Sequence, residues 1–278
     1  MDNNENHILD RLADLMAQAK RGGADGADVV YVHGASLSVS QRLGKPEHLE
    51  RAEGADLGLR VLIGKRQAIV SSSDVSDAAL DELLERALAM AKVVPEDEFC
   101  GLAPEALLAG ETPDLDECDE TAPDAETLGA LAARAEAAAM AVDGVSNSEG
   151  ADAGWSRSYV ALAASNGFAR KRVRTGFSLS AAVLAGEGTA MERDYDWGTA
   201  VHFEDLPDPD EIGRRAGEQA VRRLNPRKVD SSQVPVVYDP RVSQSLPAHL
   251  AGAINGAAVA RGTTFLKDKM DQQVMAKG

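Results

Sequence analysis

The feature that most constrains the fold is a pair of alternating segments, SRSYVALAAS and FARKRVRT, joined by Asn166-Gly167. An Asn-Gly pair between alternating segments is the strongest short-range signal for a β-hairpin, and its usual turn is type I′. A second hairpin is predicted for LGLRVLIG and KRQAIVSSS through Gly64-Lys65, with apolar residues alternating on one face from Leu57 to Ile63. Two such hairpins require an antiparallel sheet.

Further strands are predicted by the same alternation. DVVYVH and SLSVSQR flank a predicted turn at Gly34, and FSLSAAVLAG is joined to TAMERDYDWGTAVHF at Glu187-Gly188. PVVYD, residues 235–239, is predicted to be a buried strand because it is short, apolar and β-branched.

Helices are predicted where apolar residues recur every three or four positions. One covers residues 8–21 and ends at Gly22-Gly23, one begins at Ser76, and one is the Ala-rich TLGALAARAEAAAMAV. DPDE, residues 208–211, predicts another start, with Asp as N-cap, Pro at the first position and Glu at the third. The expected fold class is α+β, with antiparallel or mixed sheets and packed helices.

Charge is unevenly distributed along the chain. Residues 96–124 contain eleven Asp or Glu and no Lys or Arg, within a chain of net charge −16. We expect residues 95–124 to be an acidic, exposed excursion from an N-terminal domain at 1–228. Residues 229–278 are expected to begin a second, incomplete domain.

Composition excludes several classes of protein. The negative charge argues against nucleic acid as a partner, because neutralising phosphates requires excess Lys and Arg. No apolar run is long enough for a membrane span, and the N-terminus lacks a secretory signal. Cys100 and Cys118 match neither a disulfide framework nor a zinc spacing. A cytoplasmic protein with neither membrane nor nucleic-acid partner is expected.

No catalytic set is recognisable in the sequence. The five histidines are isolated, and the serines of SSSDVSD suit capping and turns rather than nucleophilic attack. Small-residue strands such as SLSAAVLAG could accept a peptide by strand addition, although any large antiparallel sheet would look similar.

Several segments together resemble the TldD/PmbA family, known also as modulators of DNA gyrase. They are ADLGLRVLIGKRQAIVSSSD, ELLERALAMAKVVPEDEFCGLA, LAASNGFARKRVRTGFSLSA, DEIGRRAGEQAVRRLNPRKVDSSQVPVVYDPRV and LAGAINGAAVARGTTFLKDKM. Their order spans nearly the whole chain. Family members continue beyond the last segment, so this chain is expected to be truncated relative to them.

The resemblance also indicates a branch. TldD-type subunits carry an HExxxH zinc helix before a GTS-like segment, whereas PmbA-type (TldE) subunits carry a helix of small residues. Here the segment is Gly262-Thr263-Thr264, His249 is followed by Leu250, and Ile254 stands where the second His would be. The helix is predicted to run unbroken to Arg261-Gly262. The resemblance therefore implies the PmbA branch, without zinc or a catalytic residue on this chain.

Two functions remain open. In the first, the chain is the zinc-free subunit of a heterodimeric metalloprotease that degrades or trims unfolded peptides, with zinc on a TldD-type partner. In the second, it binds peptides alone without cleaving them. A homodimer is possible when the partner is absent.

Five residues are predicted to contact peptide or partner. Asn166 and Gly167 form the hairpin turn, and a plain type I′ turn is the alternative explanation. Arg261, Gly262 and Thr263 stand where the second domain begins, and for Arg261 and Gly262 an ordinary helix C-cap is the alternative.

Overall fold

Six strands form one antiparallel sheet in the computed structural model, which describes residues 3–111 and 113–275. The strands are β1 Gly26–Arg42, β2 Lys45–Ile63, β3 Arg66–Ser72, β4 Val145–Ala164, β5 Ala169–Ala185 and β6 Glu192–Ala200. Their spatial order is β3-β2-β1-β4-β5-β6. The α+β class predicted from the sequence is confirmed, with a single antiparallel sheet.

Four long helices accompany the sheet. They are α1 Asn3–Arg21, α2 Asp77–Val93, α3 Ala125–Met140 and α4 Pro209–Arg222. Their starts follow the predicted capping chemistry: Ser76 accepts a hydrogen bond from the backbone N–H of Ala79, and Asp208 accepts one from that of Asp210. The chain divides into two units, Met1–Pro226 and Arg227–Gly278, and all these elements lie in the first.

The helices cover one face of the sheet in two pairs. Strand residues of odd number point toward them in β1, β2, β4 and β5, so Val29, Leu59 and Leu179 are almost fully buried. The pair α1 and α2 packs on one part of this face, and α3 and α4 pack on another. Each large aliphatic side chain buried there contributes roughly 1.5–3 kcal/mol. Even-numbered residues of these four strands line the opposite face, called here the open face.

The predicted turn at Gly34 is wrong. Strand β1 continues through Gly34, which is paired with Gly54 of β2 and Ser158 of β4. Glycine often marks a turn, but pairing with strands on both sides holds Gly34 in an extended conformation. The chain reverses at Leu43 and Gly44 instead, and both residues have positive φ.

The hairpin at Asn166-Gly167 is present, but the expected type I′ turn is wrong. Type I′ requires positive φ at both central residues, and only Gly167 has it, at +94°. The N–H of Gly167 bonds to Ala164 O at 3.1 Å, and the N–H of Ala164 bonds to Phe168 O at 2.8 Å. These bonds define a three-residue loop with a left-handed glycine after an ordinary turn.

The acidic excursion contains one short 3-10 turn, Glu105–Leu107, among its described residues. It is tied to the sheet by scattered hydrogen bonds. Asp97 N donates to Lys65 O at 2.6 Å, and Thr175 N donates to Glu117 O at 2.9 Å. The excursion therefore follows the rim of the first unit while most of its side chains stay exposed.

The second unit contains three short helices, α5 Pro240–Ser243, α6 Ser245–Ala253 and α7 Gly256–Ala260. The predicted strand PVVYD is wrong: residues 235–239 form no strand, and Val236 and Val237 are 70% and 93% exposed. A strand needs a neighbour for its backbone groups, and no strand is present in the described part of this unit.

The single helix predicted to run to Arg261 is also wrong. It breaks at Ile254-Asn255, where the Asn255 side chain accepts hydrogen bonds from the N–H groups of Ala257 and Ala258. Asparagine favours such an N-cap over a helix interior, so it starts α7 as a new helix.

In the described part of the chain, every helix is too short or too polar to cross a bilayer.

Candidate functional site

Small polar residues gather on the open face where β1, β4, β5 and β6 lie side by side. Ser36 is paired with Ser156, which is paired in turn with Gly176. One row further along, Ser38, Gly154, Ser178 and Thr199 follow one another across four strands. These residues and Ser158 form a serine-glycine band, and the register of the ladders alone brings them together.

A cavity of about 670 Å³ lies over the serine-glycine band. Two glycines leave space at the base of the cavity that a side chain would fill. A Cβ on Gly154 would stand 2.9 Å from Ser178 Oγ, and one on Gly176 would stand 3.3 Å from Ser156 Oγ. The cavity is therefore a shallow depression accessible from solvent, in which Ser and Thr hydroxyl groups lie among apolar residues that include Trp155 and Phe177.

The band is bordered by apolar side chains on two sides. Val32 and Leu162, which are 37% and 39% exposed, lie further along the open face. On edge strand β6, Tyr195 and Trp197 are 40% and 48% exposed. Arg193 stacks on Tyr195, with its guanidinium carbon 5.7 Å from the ring centroid. A hydroxyl-rich floor with apolar and aromatic margins is suited to contact with a polypeptide.

The cavity lining carries one ionisable side chain, Arg174. The lining includes no histidine, lysine or carboxylate that could take a proton from one of the serines. A serine nucleophile needs an adjacent general base, so the band can bind but is not arranged for covalent catalysis. Nearby Asp152 has a pKa above its ordinary value, because partial burial disfavours its charge and Glu47 adds repulsion.

The residues present do not fit a zinc ion. In the described part of the chain, no three His, Cys, Asp or Glu residues come together as a potential ligand set. His249 lies exposed on α6, and Ile254, five residues later, ends that helix. A catalytic zinc needs three protein ligands and an open position, and His249 has no companions among the described residues that would complete such a set.

Asn166 and Gly167 lie at the tip of the β4–β5 hairpin. The Asn166 amide donates to Ala103 O at 2.8 Å, and its oxygen accepts the N–H of Phe168 at 3.3 Å. These bonds tie the turn to the acidic excursion and account for the asparagine structurally. A contact role for the pair stays a prediction.

Arg261, Gly262 and Thr263 belong to the second unit and close α7. The N–H of Thr263 bonds to Ala258 O and that of Gly262 to Val259 O, both at 3.0 Å, while Gly262 has φ +67°. This is a Schellman ending, the structural alternative expected for Arg261 and Gly262. Their contact role also stays a prediction.

Strand addition at SLSAAVLAG is excluded. This segment lies in β5 from Ser178 to Ala185, with Gly186 just beyond its end, and β5 pairs there with β4 on one side and β6 on the other. Its backbone groups are already used in two ladders, so no edge remains there for a peptide.

The sequence reading missed the serine-glycine band. SLSVSQR and SRSY both show alternating serines, which indicate a polar face on each strand. The sequence does not indicate that β1 and β4 are neighbours in the sheet, because residues 43–144 separate them.

Comparison with protein families gives three successive matches. Residues 27–91 match the PmbA/TldA metallopeptidase domain 1, residues 118–224 the central domain, and residues 231–278 the C-terminal domain. The three matches follow the chain in family order.

Among curated proteins, the Metalloprotease PmbA of Escherichia coli O157:H7 is 34% identical over 271 residues, covering 96% of this chain and 60% of that protein. The Metalloprotease PmbA homolog of Haemophilus influenzae is 33% identical over 258 residues, with coverages of 92% and 57%. The chain thus spans about three fifths of the length of these relatives.

Solved structures show the same fold. A candidate modulator of DNA gyrase from Bacteroides thetaiotaomicron superposes with a TM-score of 0.88 at 25% identity, covering 99% of this chain and 63% of that one. TldE from Thermococcus kodakarensis gives 0.60 at 17% identity, with coverages of 76% and 47%, which supports the fold alone. From the family matches and the curated relatives together, the chain belongs to the PmbA/TldD family of metallopeptidases.

Proposed function

We propose that this chain is the PmbA-type (TldE) subunit of a two-subunit metalloprotease acting on unfolded peptides in the cytoplasm. The zinc and the catalytic residues lie on a TldD-type partner, and this subunit contributes peptide-contacting surface. Trimming of peptide precursors is the expected outcome of such cleavage.

The observation that carries this proposal is the sequence of α6 and of Ile254, the residue that follows it. Where the zinc branch carries HExxxH, this chain has His249, Leu250 and Ile254 in the motif's positions. Neither leucine nor isoleucine can bind zinc or act as a general base. Curated relatives carry the name Metalloprotease PmbA, which supports a role in proteolysis that relies on zinc elsewhere.

A peptide-binding module that acts alone is the second candidate. The cavity over the serine-glycine band favours it, because its hydroxyl groups and aromatic margin could hold a peptide without a partner. This candidate predicts affinity for peptide in the absence of both metal and partner.

The test is cleavage of an unstructured fluorogenic peptide by this chain, by a TldD-type subunit, and by both after co-expression. We expect cleavage in the mixture well above that of either subunit, and loss of cleavage with a zinc chelator. A partner variant in which the HExxxH glutamate is replaced by glutamine provides the inactive control.

No gain over the TldD-type subunit alone would contradict the subunit proposal. Peptide binding by this chain alone, in the same experiment, would then support the second candidate. A readout by gel filtration separates failure to assemble from failure to cleave.

A further inference from the structure

Strand β2 has an open outer edge along its first half. Strand β3 pairs with β2 only from Leu57 to Ile63, and no other strand of the described chain lies beside residues 45–56 on that side. Residues 45–54 are exposed, although β1 pairs with them along the inner edge. Backbone groups on such an edge are a template for another extended chain.

The ladder between β1 and β2 shows which backbone groups face this edge. Asp25, just before β1, donates its N–H to Leu62 O at 2.9 Å, so the backbone groups of Leu62 point toward β1. Directions alternate along a strand, and the register to β1 is regular over residues 48–62. The N–H and C=O groups of Leu49 and Arg51 therefore point outward.

A second copy of the same strand complements this edge in one register. Two copies related by a two-fold axis pair antiparallel, and the axis passes through one residue of each strand. With the axis at Leu49, the two leucines face each other, Glu50 faces His48 and Arg51 faces Glu47. Every charged side chain from Glu47 to Arg51 then lies opposite a partner that attracts it or accepts its hydrogen bond, which stabilises a strand pair.

Neighbouring symmetric registers lack this match. An axis at Glu50 sets that carboxylate against its own copy, and an axis at Arg51 does the same with two guanidinium groups. An axis at His48 sets two imidazoles against each other and Glu47 against Leu49. Like charges directly opposite one another destabilise a strand pair, so the sequence favours the register centred on Leu49.

Leu49 gives this register an apolar centre. Its side chain is 58% exposed and lies on the helix side of the sheet, where a depression of about 450 Å³ is bordered by Val39 of β1 and by Ala125 and Gly129 of α3. In the register centred on Leu49, the two leucines stand directly opposite each other beside these depressions. Their contact removes from water two apolar side chains that the single chain leaves exposed.

Two features that protect an edge lie at the start of this stretch. Pro46 has no N–H to offer a neighbouring strand, and a bulge leaves Glu47 without a pairing residue between Ser40 and Gln41 of β1. They limit an added ladder to residues 47–51, a length typical of short strands. Charged residues exclude strands whose charges do not match, and here the matching strand is this segment itself.

We propose that two copies of this chain associate edge to edge through residues 47–51 of β2, in the register centred on Leu49. The backbone groups of the two Leu49 residues bond to each other, and ion pairs between Arg51 and Glu47 flank them on both sides. The interface is isologous, and the two sheets become continuous across it. The inference goes beyond the proposed subunit role and does not rest on it.

Charge reversal tests the register, with sedimentation velocity of the full chain over a range of concentrations as the measurement. Wild type is expected to dimerise as its concentration rises, and a wild-type chain that stays monomeric near millimolar concentration would overturn the proposal. Arg51→Glu sets two carboxylates opposite each other on both sides of the axis, and Glu47→Arg does the same with two guanidinium groups. Each variant should associate at least about tenfold more weakly than wild type.

Mixing the two variants should restore association, because one chain then carries two glutamates and the other two arginines at the facing positions. The double variant E47R/R51E should likewise associate within about threefold of wild type. Positions 47 and 51 are roughly 13 Å apart along one strand, so this rescue cannot arise within a single chain. A mixture that stays monomeric would contradict the register.

Lys20→Glu, at an exposed position of α1, changes the net charge by the same amount as Arg51→Glu and is the matched control. It should associate like wild type. An equal loss in both variants would show that net charge governs association, and the β2 edge would then not be the interface.

A substitution at the axis tests the apolar centre. Leu49→Lys places two ammonium groups opposite each other and should weaken the dimer at least about tenfold, whereas Leu49→Val should change its affinity less than about threefold. Circular dichroism checks the fold of each variant. Dimerisation that survives in both Arg51→Glu and Leu49→Lys would assign the contact to another surface and leave the β2 edge to a different protein partner.

Discussion

The carboxylate of Glu136 on α3 accepts a hydrogen bond from the backbone N–H of Leu43, 2.6 Å away, at the turn between β1 and β2. The same carboxylate accepts bonds from Gly44 N at 2.9 Å, Gln41 Nε2 at 3.2 Å and the hydroxyl of Ser148. Glu136 is only 3% exposed. A single buried charge thus joins α3, the β1–β2 turn and β4.

Glu136→Gln should lower the free energy of unfolding by about 2–3 kcal/mol at neutral pH. One carboxylate oxygen becomes an NH₂ group, which would face N–H donors and leave them unpaired. Urea denaturation followed by circular dichroism measures the change. Glu85→Gln, at an exposed position of α2, is the control and should stay within about 0.5 kcal/mol.

The effect of Glu136→Gln should depend on pH. Burial by itself would raise the pKa of Glu136, but hydrogen bonds from Ser148, Gly44, Gln41 and Leu43 outweigh it and hold the pKa below the ordinary 4.5. Because the pKa of Glu136 is lower in the folded state than in the unfolded state, its ionised carboxylate stabilises the fold at pH values above the unfolded-state pKa. This stabilisation is lost as the pH falls through the folded-state pKa. The difference between wild type and variant should therefore be constant from pH 7 to 5.5 and shrink below about pH 4.5. A difference that grows on acidification would contradict this account.

Local signals in the sequence predicted the elements of the first unit well. The apolar periodicity of α1 and α2, the capping residues Ser76 and Asp208, and the alternation of β2 are all set by neighbours in sequence. Where tertiary pairing competes with local preference, the predictions failed. Gly34 is held in two ladders, and the first half of β2, residues 45–56, is polar and lacks the apolar alternation that predicts a strand.

The candidate site is harder to predict, because its residues are brought together by the register of the paired strands. Ser36, Ser156 and Gly176 meet only through two ladders that join distant segments. Nothing in the sequence spacing of Leu49 and Arg51 indicates that β3 stops short of them. By contrast, the absence of a zinc motif around His249 is a local feature and could be read directly.

Two glycines should respond to alanine in opposite directions. On α4, a Cβ at Gly213 would stand 2.0 Å from Ala135 O of α3, so Gly213→Ala must push the helices apart. On α3, a Cβ at Gly129 would meet only Val39 at 3.8 Å, an ordinary contact. We expect Gly213→Ala to cost about 1–3 kcal/mol despite better helix propensity, and Gly129→Ala to add about 0.5–1 kcal/mol. Thermal and urea unfolding of both variants checks the pair, and stabilisation by both would contradict the close helix contact.

Filling the cavity over the serine-glycine band should reduce peptide handling. Ser156→Phe places a large ring on the floor, whereas Ser71→Phe adds the same ring to the open face on β3, outside the cavity. We expect at least about tenfold lower kcat/KM for partner-dependent cleavage with Ser156→Phe, and little change with Ser71→Phe. Equal activity in the two variants, with both folded, would exclude the band as a peptide surface.

His202 should hold residues 113–119 of the acidic excursion, called here the edge strap, more firmly at low pH. A hydrogen bond to Asp116 O at 3.0 Å and the charges of Asp116, Asp119 and Asp205 raise the pKa of His202 above the ordinary 6.5. Because the pKa of His202 is higher in the folded state than in the unfolded state, the stabilisation by its charged form is fully present below pH 6.5. It is lost as the pH rises through the folded-state pKa.

The imidazolium attracts these carboxylates, and the neutral ring does not. His202→Ala should therefore lower hydrogen-exchange protection of residues 113–119 at pH 6 and change it less at pH 8.5, once rates are corrected for intrinsic exchange. His48→Ala, at an exposed histidine of β2 beside Glu50, is the control and should leave the strap unchanged. A loss of protection that is equal at both pH values would mean that the His202 side chain acts by packing and hydrogen bonding, because its charge would then contribute nothing to strap attachment.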